Sequence, residues 1–427
     1  MNKLFNILSM GAGSTIGVSA VAIIIQIFVV SYLSRVGSEY VAFIAIFEIF
    51  TAWIIAFCFF GGEQHFVNVY NRSDNKNHVL TTYLFSYFVL LFPFSVVFYV
   101  LLNLDYINTG GFDILGLYLT CISIGFSLVA AAYYRSQLKI LLASLLEKFT
   151  VCSFYLFLLM FSLYGNNKID SYLITYSIFT LCGLIYFVRS DLSIPKNIIL
   201  LSKEIFSKSG FFFFLTLLLI LIYERIDQMV LLSRFDLTDL AGYFACFKLA
   251  FLIRFISKSV NSAMYPYLSK LSSKDDIKSL DLFKDIKLVN FTIALILSFP
   301  LVFFSEDIIS FIYGEKLIEY SQVLQIMAIA LVVSISNQCD FNLMNSRGNS
   351  NYFLINSILT VIVQCVVILS LVNEIGIISL VLAKYVAVVF GFVFSTWLLI
   401  RNDIPINKFV MFFVSITPFF VYYVIFF

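Results

Sequence analysis

"LLSRFDLTDLAGYFACFK", residues Leu231–Lys248, restates "YLSRVGSEYVAFIAIFE", residues Tyr32–Glu48, about half a chain length later. In both, Leu-Ser-Arg closes an apolar run, a short polar step follows, and an aromatic-rich run leads to a lone charge. That charge is acidic the first time and basic the second. An apolar run too long for a strand, a brief turn and a second apolar run describe two membrane-crossing helices joined at one face of a bilayer.

The composition requires the same environment. Of 427 residues, 61% are hydrophobic and 12% are charged, about half the charged share of a soluble domain. Only an α-helix or a closed barrel satisfies its backbone polar groups in lipid, and runs of roughly 20 apolar residues select the helix. The expected class is therefore an all-α polytopic membrane protein. Spans are expected at about 11–33, 40–61, 79–102, 113–134, 142–164, 170–189, 211–233, 241–262, 288–305, 320–343, 353–371 and 377–400, with 408–427 as a thirteenth helix. The first is read as a retained span, because its apolar run continues to Leu33, too far for a signal-peptide core.

Taken alternately, the polar breaks sort by charge. One set holds Lys3, Arg72, Lys76, Arg135, Lys139, Arg189, Lys196, Lys203, Lys208, Lys270, Lys274, Lys278, Lys284, Lys287, Arg347, Arg401 and Lys408; the other holds only Arg35, Lys168, Arg234 and Lys316. The positive-inside rule then puts the N-terminus in the cytoplasm. The longest inner segments, 190–210 and 263–287, read as amphipathic or solvated linkers. The first gives an N-terminal six-helix lobe over 1–190, a linker over 191–210, a C-terminal six-helix lobe over 211–400 and a hydrophobic segment over 401–427. Each lobe holds an even number of spans and starts from inside, so a duplication would be parallel, about an axis along the membrane normal.

Ionisable groups inside spans are costly, and each is a functional candidate. Counting inward at about 1.5 Å per residue gives depths of roughly 12 Å for Glu48 and Arg225, 9 Å for Asp227 and 10 Å for Lys248 and Lys384. Arg254 lies deeper, and Glu224 sits beside Arg225. On a structural reading these are ion pairs, Arg225 or Lys248 with Glu48 or Asp227, that hold helices together. On a functional reading Arg225, Lys248, Arg254 and Lys384 line a cavity and grip an anionic substrate, arginine by forked hydrogen bonds and lysine as a point charge. Glu48, Glu224 and Asp227 are then salt-bridge or proton-coupling candidates. Glu63, His65 and Glu147 fall near inner helix ends; for Glu147–Lys148 and Asp340 the structural reading is favoured. Gln26, Asn356 and Gln364 read as interhelical hydrogen-bonding residues.

Other chemistries are set aside. The seven cysteines form no Cys-x-x-Cys pair and fall in apolar segments as packing residues, and His65 and His78 are the only histidines, so no zinc or haem site and no cofactor is expected. GAGSTIG, Gly11–Gly17, lies in a helix rather than after a strand and serves close packing, not phosphate binding. No Walker lysine or nucleic-acid signature appears.

With this layout, the chain resembles the Wzx-type polysaccharide flippases of the multidrug/oligosaccharidyl-lipid/polysaccharide exporter superfamily, which translocate O-antigen or capsule repeat units. The resemblance is carried by the turn and helix from Arg35 to Phe47, by IDQMVLLSRFDLTDLAGYFACFKLAF (226–251), by AMYPYLSKL (263–271) and by GIISLVLAKYVAVVFG (376–391). It implies two six-helix lobes around a central cavity, alternating access and a bacterial inner-membrane location. The implied substrate is a polyprenyl-diphosphate-linked oligosaccharide. The implied partners are membrane lipids, a polymerase and other glycan-assembly proteins, with no nucleic acid. A multidrug or cation exporter of the same superfamily is the near alternative, for which a mainly acidic layer would be expected. A membrane glycosyltransferase or repeat-unit polymerase is the remote one, since the outer loops are short.

Overall fold

Every described element of the computed structural model is helical, as backbone satisfaction in lipid demands. The structure describes residues 13–73, 76–103, 114–137, 139–164, 169–192, 203, 205–272, 276–347, 351–404 and 406–426. Nine of the described helices are long and apolar enough to cross a membrane, and they carry large apolar side chains on their outer faces, such as Phe92, Phe149 and Leu369. The first-span reading falls partly on residues 1–12, outside the described set.

One compact unit is Gly17–Ala241. Its helices are most of α1 (Gly13–Val36), α2 (Ser38–Cys58), α3 (Gly62–Arg72), α4 (Lys76–Asn103), α5 (Ile114–Ser136), α6 (Ile140–Tyr164), α7 (Ile169–Val188) and α8 (Lys208–Arg234). Apolar around most of its circumference, α2 takes the centre, burying Val41–Phe47, Ile49, Phe50, Ile54 and Ala56. It packs on α4, α5 and α8. Phe47 stacks on Phe154 of α6 at 3.7 Å between centroids, and Thr51 donates to Cys121 of α5 at 3.2 Å.

Between α2 and α3 the chain turns through Gly61 (φ 75°) and Gly62 (φ 63°), left-handed conformations that glycine adopts without a Cβ clash. Residues 62–72, which follow the span expected at 40–61, form the amphipathic α3, packed on α4, α5 and α8. Helix α8 joins this unit rather than the one that follows it in sequence. Phe214 lies against Phe60 at 4.8 Å and Phe57 at 6.0 Å, and the compact unit runs on to Ala241.

The other unit includes Gly242–Phe427. It is built from most of α9 (Leu237–Ser272), α10 (Asp276–Phe303), α11 (Ser305–Tyr313), a 3₁₀ turn (Glu315–Tyr320), α12 (Ser321–Ser346), α13 (Asn351–Ile375), α14 (Ile377–Arg401) and α15 (Lys408–Phe426). Helix α12 packs on α10, α14 and α15, and α13 on α14. The expected thirteenth helix is thus present as α15, with Phe409 and Phe413 against Phe291 of α10. The 263–287 linker is largely absorbed into α9 and α10, and the break before α12 holds α11 and the 3₁₀ turn. Tyr313 donates to the Ala245 carbonyl at 3.2 Å and Cys246 to that of Tyr320 at 3.4 Å, fixing this insertion on α9. Five of the seven cysteines are buried, as expected of packing residues, but Cys182 is exposed and Cys365 partly so.

Candidate functional site

The expected intramembrane charges fall into two groups. In the first unit, Glu48 of α2 meets α6 and α8. Tyr155 of α6 donates its hydroxyl to Glu48 Oε1 at 2.5 Å, and Arg225 Nη2 of α8 lies 3.6 Å from Glu48 Oε2. A second guanidinium nitrogen, Nη1, donates to Gln228 Oε1 at 2.7 Å. Gln228 is one helical turn on from Arg225, so both project from the same face of α8. The Arg225 and Glu48 side chains keep 15% and 14% of their surface accessible, while Asp227 and Gln228 are fully buried. The ion pair is therefore long, and it is not sealed.

The sequence left four pairings open for these charges, and this structure records Arg225 with Glu48. Tyr155 and Gln228 were missed. A tyrosine inside FYLFLLMF, or a glutamine beside two charges, carries no periodic signal that separates it from packing.

In the second unit Lys248 is buried, with Nζ 5.1 Å from the Phe244 ring centre one turn earlier on α9. Lys384 of α14 places Nζ 5.4 Å from the Phe247 ring centre. Both cations thus rest on aromatic rings of α9, an interaction worth about 2 kcal/mol when desolvated. Arg254, also on α9, is half-buried, as is Glu224 on α8.

Two further charge clusters lie elsewhere. Arg135 of α5 bridges Glu63 of α3 and Glu147 of α6, the latter at 2.6 Å, and Lys148 also reaches Glu147 at 2.6 Å. This is the structural role that sequence favoured for Glu147–Lys148. Lys287 of α10, counted by sequence among the inner-loop cations, is instead buried, donating to Asp340 of α12 at 2.5 Å. Ser395 of α14 donates to the other oxygen of Asp340 at 2.9 Å. His65 is buried against Phe213, with Nε2 3.1 Å from the Ile205 carbonyl.

Residues 213–370, less than half the chain, match the MatE family model. No curated protein matches the chain. Among solved structures, the lipid II flippase MurJ in an inward closed conformation matches at TM-score 0.69 and 15% identity, over 96% of this chain and 92% of that one. The chain shares its fold. An inward-facing multidrug resistance MATE family transporter of the MOP superfamily matches at TM-score 0.61 and 14% identity, over 90% and 95% of the two chains. A MOP superfamily transporter from Pyrococcus furiosus, described by the reverse polarity of its binding pocket, matches at TM-score 0.53 and 15% identity, over 92% and 95%.

Proposed function

We propose that the protein is a flippase that moves a polyprenyl-diphosphate-linked oligosaccharide, an O-antigen or capsule repeat unit, from the inner to the outer leaflet by alternating access. The lobes would be 1–190 and 211–400, with α8 the member of the second that packs against the first. The observation that carries the reading is Arg225: a guanidinium on the 27-residue helix α8, oriented by Glu48 and Gln228 yet still partly accessible. A permanently charged fork of this kind suits a phosphate group. In the proposal Lys248, Lys384 and Arg254 supply further positive charge to the diphosphate or acidic sugars during transport. Glu48 neutralises Arg225 between cycles, so substrate displaces a carboxylate rather than water. The likeness to a lipid II flippase supports a lipid-linked substrate, and transport needs no covalent step.

Export of a drug or cation is a second reading, favoured by the MatE match and by the membrane-depth carboxylates Glu48, Glu224 and Asp227. Purified protein in vesicles, given a fluorescent polyprenyl-diphosphate oligosaccharide or a fluorescent organic cation, separates the two. Translocation of the first alone supports the flippase, and translocation of the cation alone overturns it. Proton coupling through the carboxylates is tested by Glu48→Gln and Asp227→Asn under an imposed pH gradient. Unchanged rates and unchanged pH dependence in both would remove these sites from coupling.

A further inference from the structure

A run of aromatic rings joins the ends of three helices in the first unit, at the end that charge alternation assigns to the cytoplasm. Tyr70 of α3 lies 5.9 Å from Tyr133 of α5, Tyr133 lies 5.3 Å from Tyr134, and Tyr134 lies 5.9 Å from Phe187 of α7. Three exposed cations stand on rings of this series or next to it. Lys76 Nζ is 5.3 Å from the Tyr70 centre, Lys139 Nζ is 5.5 Å from that of Tyr134, and the Arg189 guanidinium is 3.9 Å from that of Tyr186. None of the three forms an ion pair with a carboxylate among the described residues. Asp191, two residues from Arg189, accepts from the Tyr134 hydroxyl at 2.7 Å. The neighbouring Arg135 is already shared by Glu63 and Glu147.

The apolar surface begins within one turn of these cations. Phe187, Tyr186 and Ile185 on α7, and Leu141 and Leu145 on α6, are exposed. A ligand that meets both surfaces is apolar and anionic within a few ångströms. Aromatic rings and cations at such a boundary lie at headgroup depth. We propose that this patch binds an acidic phospholipid of the inner leaflet, its anionic headgroup held by the positive charge of Lys76, Lys139 and Arg189 and its acyl chains along α6 and α7. The leaflet rests on the orientation used in the proposed function; the lipid chemistry does not.

The test uses the full chain in bilayers of equal phosphatidylglycerol and phosphatidylcholine, with spin-labelled forms of each lipid reporting the motionally restricted fraction at the protein surface. The native chain should prefer the acidic lipid, and added salt should weaken that preference. Arg189→Gln alone should lower it about fivefold, and the triple variant Lys76→Gln, Lys139→Gln, Arg189→Gln should abolish it. The charge-keeping triple Lys76→Arg, Lys139→Arg, Arg189→Lys should retain it, as should Lys316→Gln, an exposed lysine of the other unit. An unchanged preference in both glutamine variants overturns the proposal, and so does an equal loss on Lys316→Gln. Because no transport is measured, a chain that moves no oligosaccharide but keeps this selectivity fails the flippase reading alone. Labelling of Lys139→Cys only from outside the cell would overturn the inner-leaflet assignment.

Discussion

The Glu48–Arg225 pair and the Lys287–Asp340 pair put the same charges inside apolar helices and treat them oppositely. Lys287 and Asp340 are 2.5 Å apart with side chains 3% and 1% exposed, and Ser395 fills a remaining carboxylate position. Arg225 and Glu48 are 3.6 Å apart and about 15% exposed, with each group shared with a neutral partner, Gln228 or Tyr155. A closed, buried pair is a fastener between helices. A long pair with accessible edges can exchange partners, because neutral groups keep each charge solvated while the contact opens.

The largest effect should come from the closed pair. Asp340→Ala leaves a buried ammonium unpaired and should destabilise the Gly242–Phe427 unit by about 3–5 kcal/mol, seen as a fall in the thermal midpoint in detergent. Replacing both partners, Lys287→Met with Asp340→Leu, should recover most of that loss. If the double variant is no better than the single, the pair does more than fasten.

For the open pair the balance reverses. Arg225→Ala should cost about ten- to a hundredfold in flipping, the scale of a lost charge-assisted hydrogen bond, with the thermal midpoint shifting far less than for Asp340→Ala. Next in size, Gly62→Ala places a Cβ at φ 63°, 3.2 Å from Leu217 Cδ2, and should lower stability by roughly 1–2 kcal/mol. The smallest effect is expected of Tyr155→Phe, about 1 kcal/mol, since Glu48 keeps Arg225 when the hydroxyl is lost. A larger loss there would mean that the tyrosine, not the arginine, holds the carboxylate in place.

The fold was legible because long apolar runs have one solution in lipid, and α15 was found by the same rule as the other spans. The Gly61–Gly62 turn, α3 and α11 were not, since polar and short segments between spans carry no membrane signal and fold only against their neighbours. Lys287 was read as a loop cation because the charges before it are solvated. The start of α10 at Asp276 instead carries the chain into the bundle about three turns before the apolar run begins. In the candidate site, lone charges in apolar runs marked Glu48, Arg225, Lys248 and Lys384. Which of them meet depends on packing between helices far apart in sequence, and the neutral partners Tyr155 and Gln228 look like any buried side chain.

The central claim is that Arg225 recognises a lipid-linked diphosphate, and the most direct measurement is flipping of a fluorescent polyprenyl-diphosphate oligosaccharide in vesicles by the native chain, Arg225→Lys and Arg225→Ala. The account predicts robust flipping by the native chain, partial flipping by the lysine variant, which keeps the charge but loses the fork, and near-background flipping by the alanine variant with only a small shift of the thermal midpoint. Equal rates in all three proteins would contradict it.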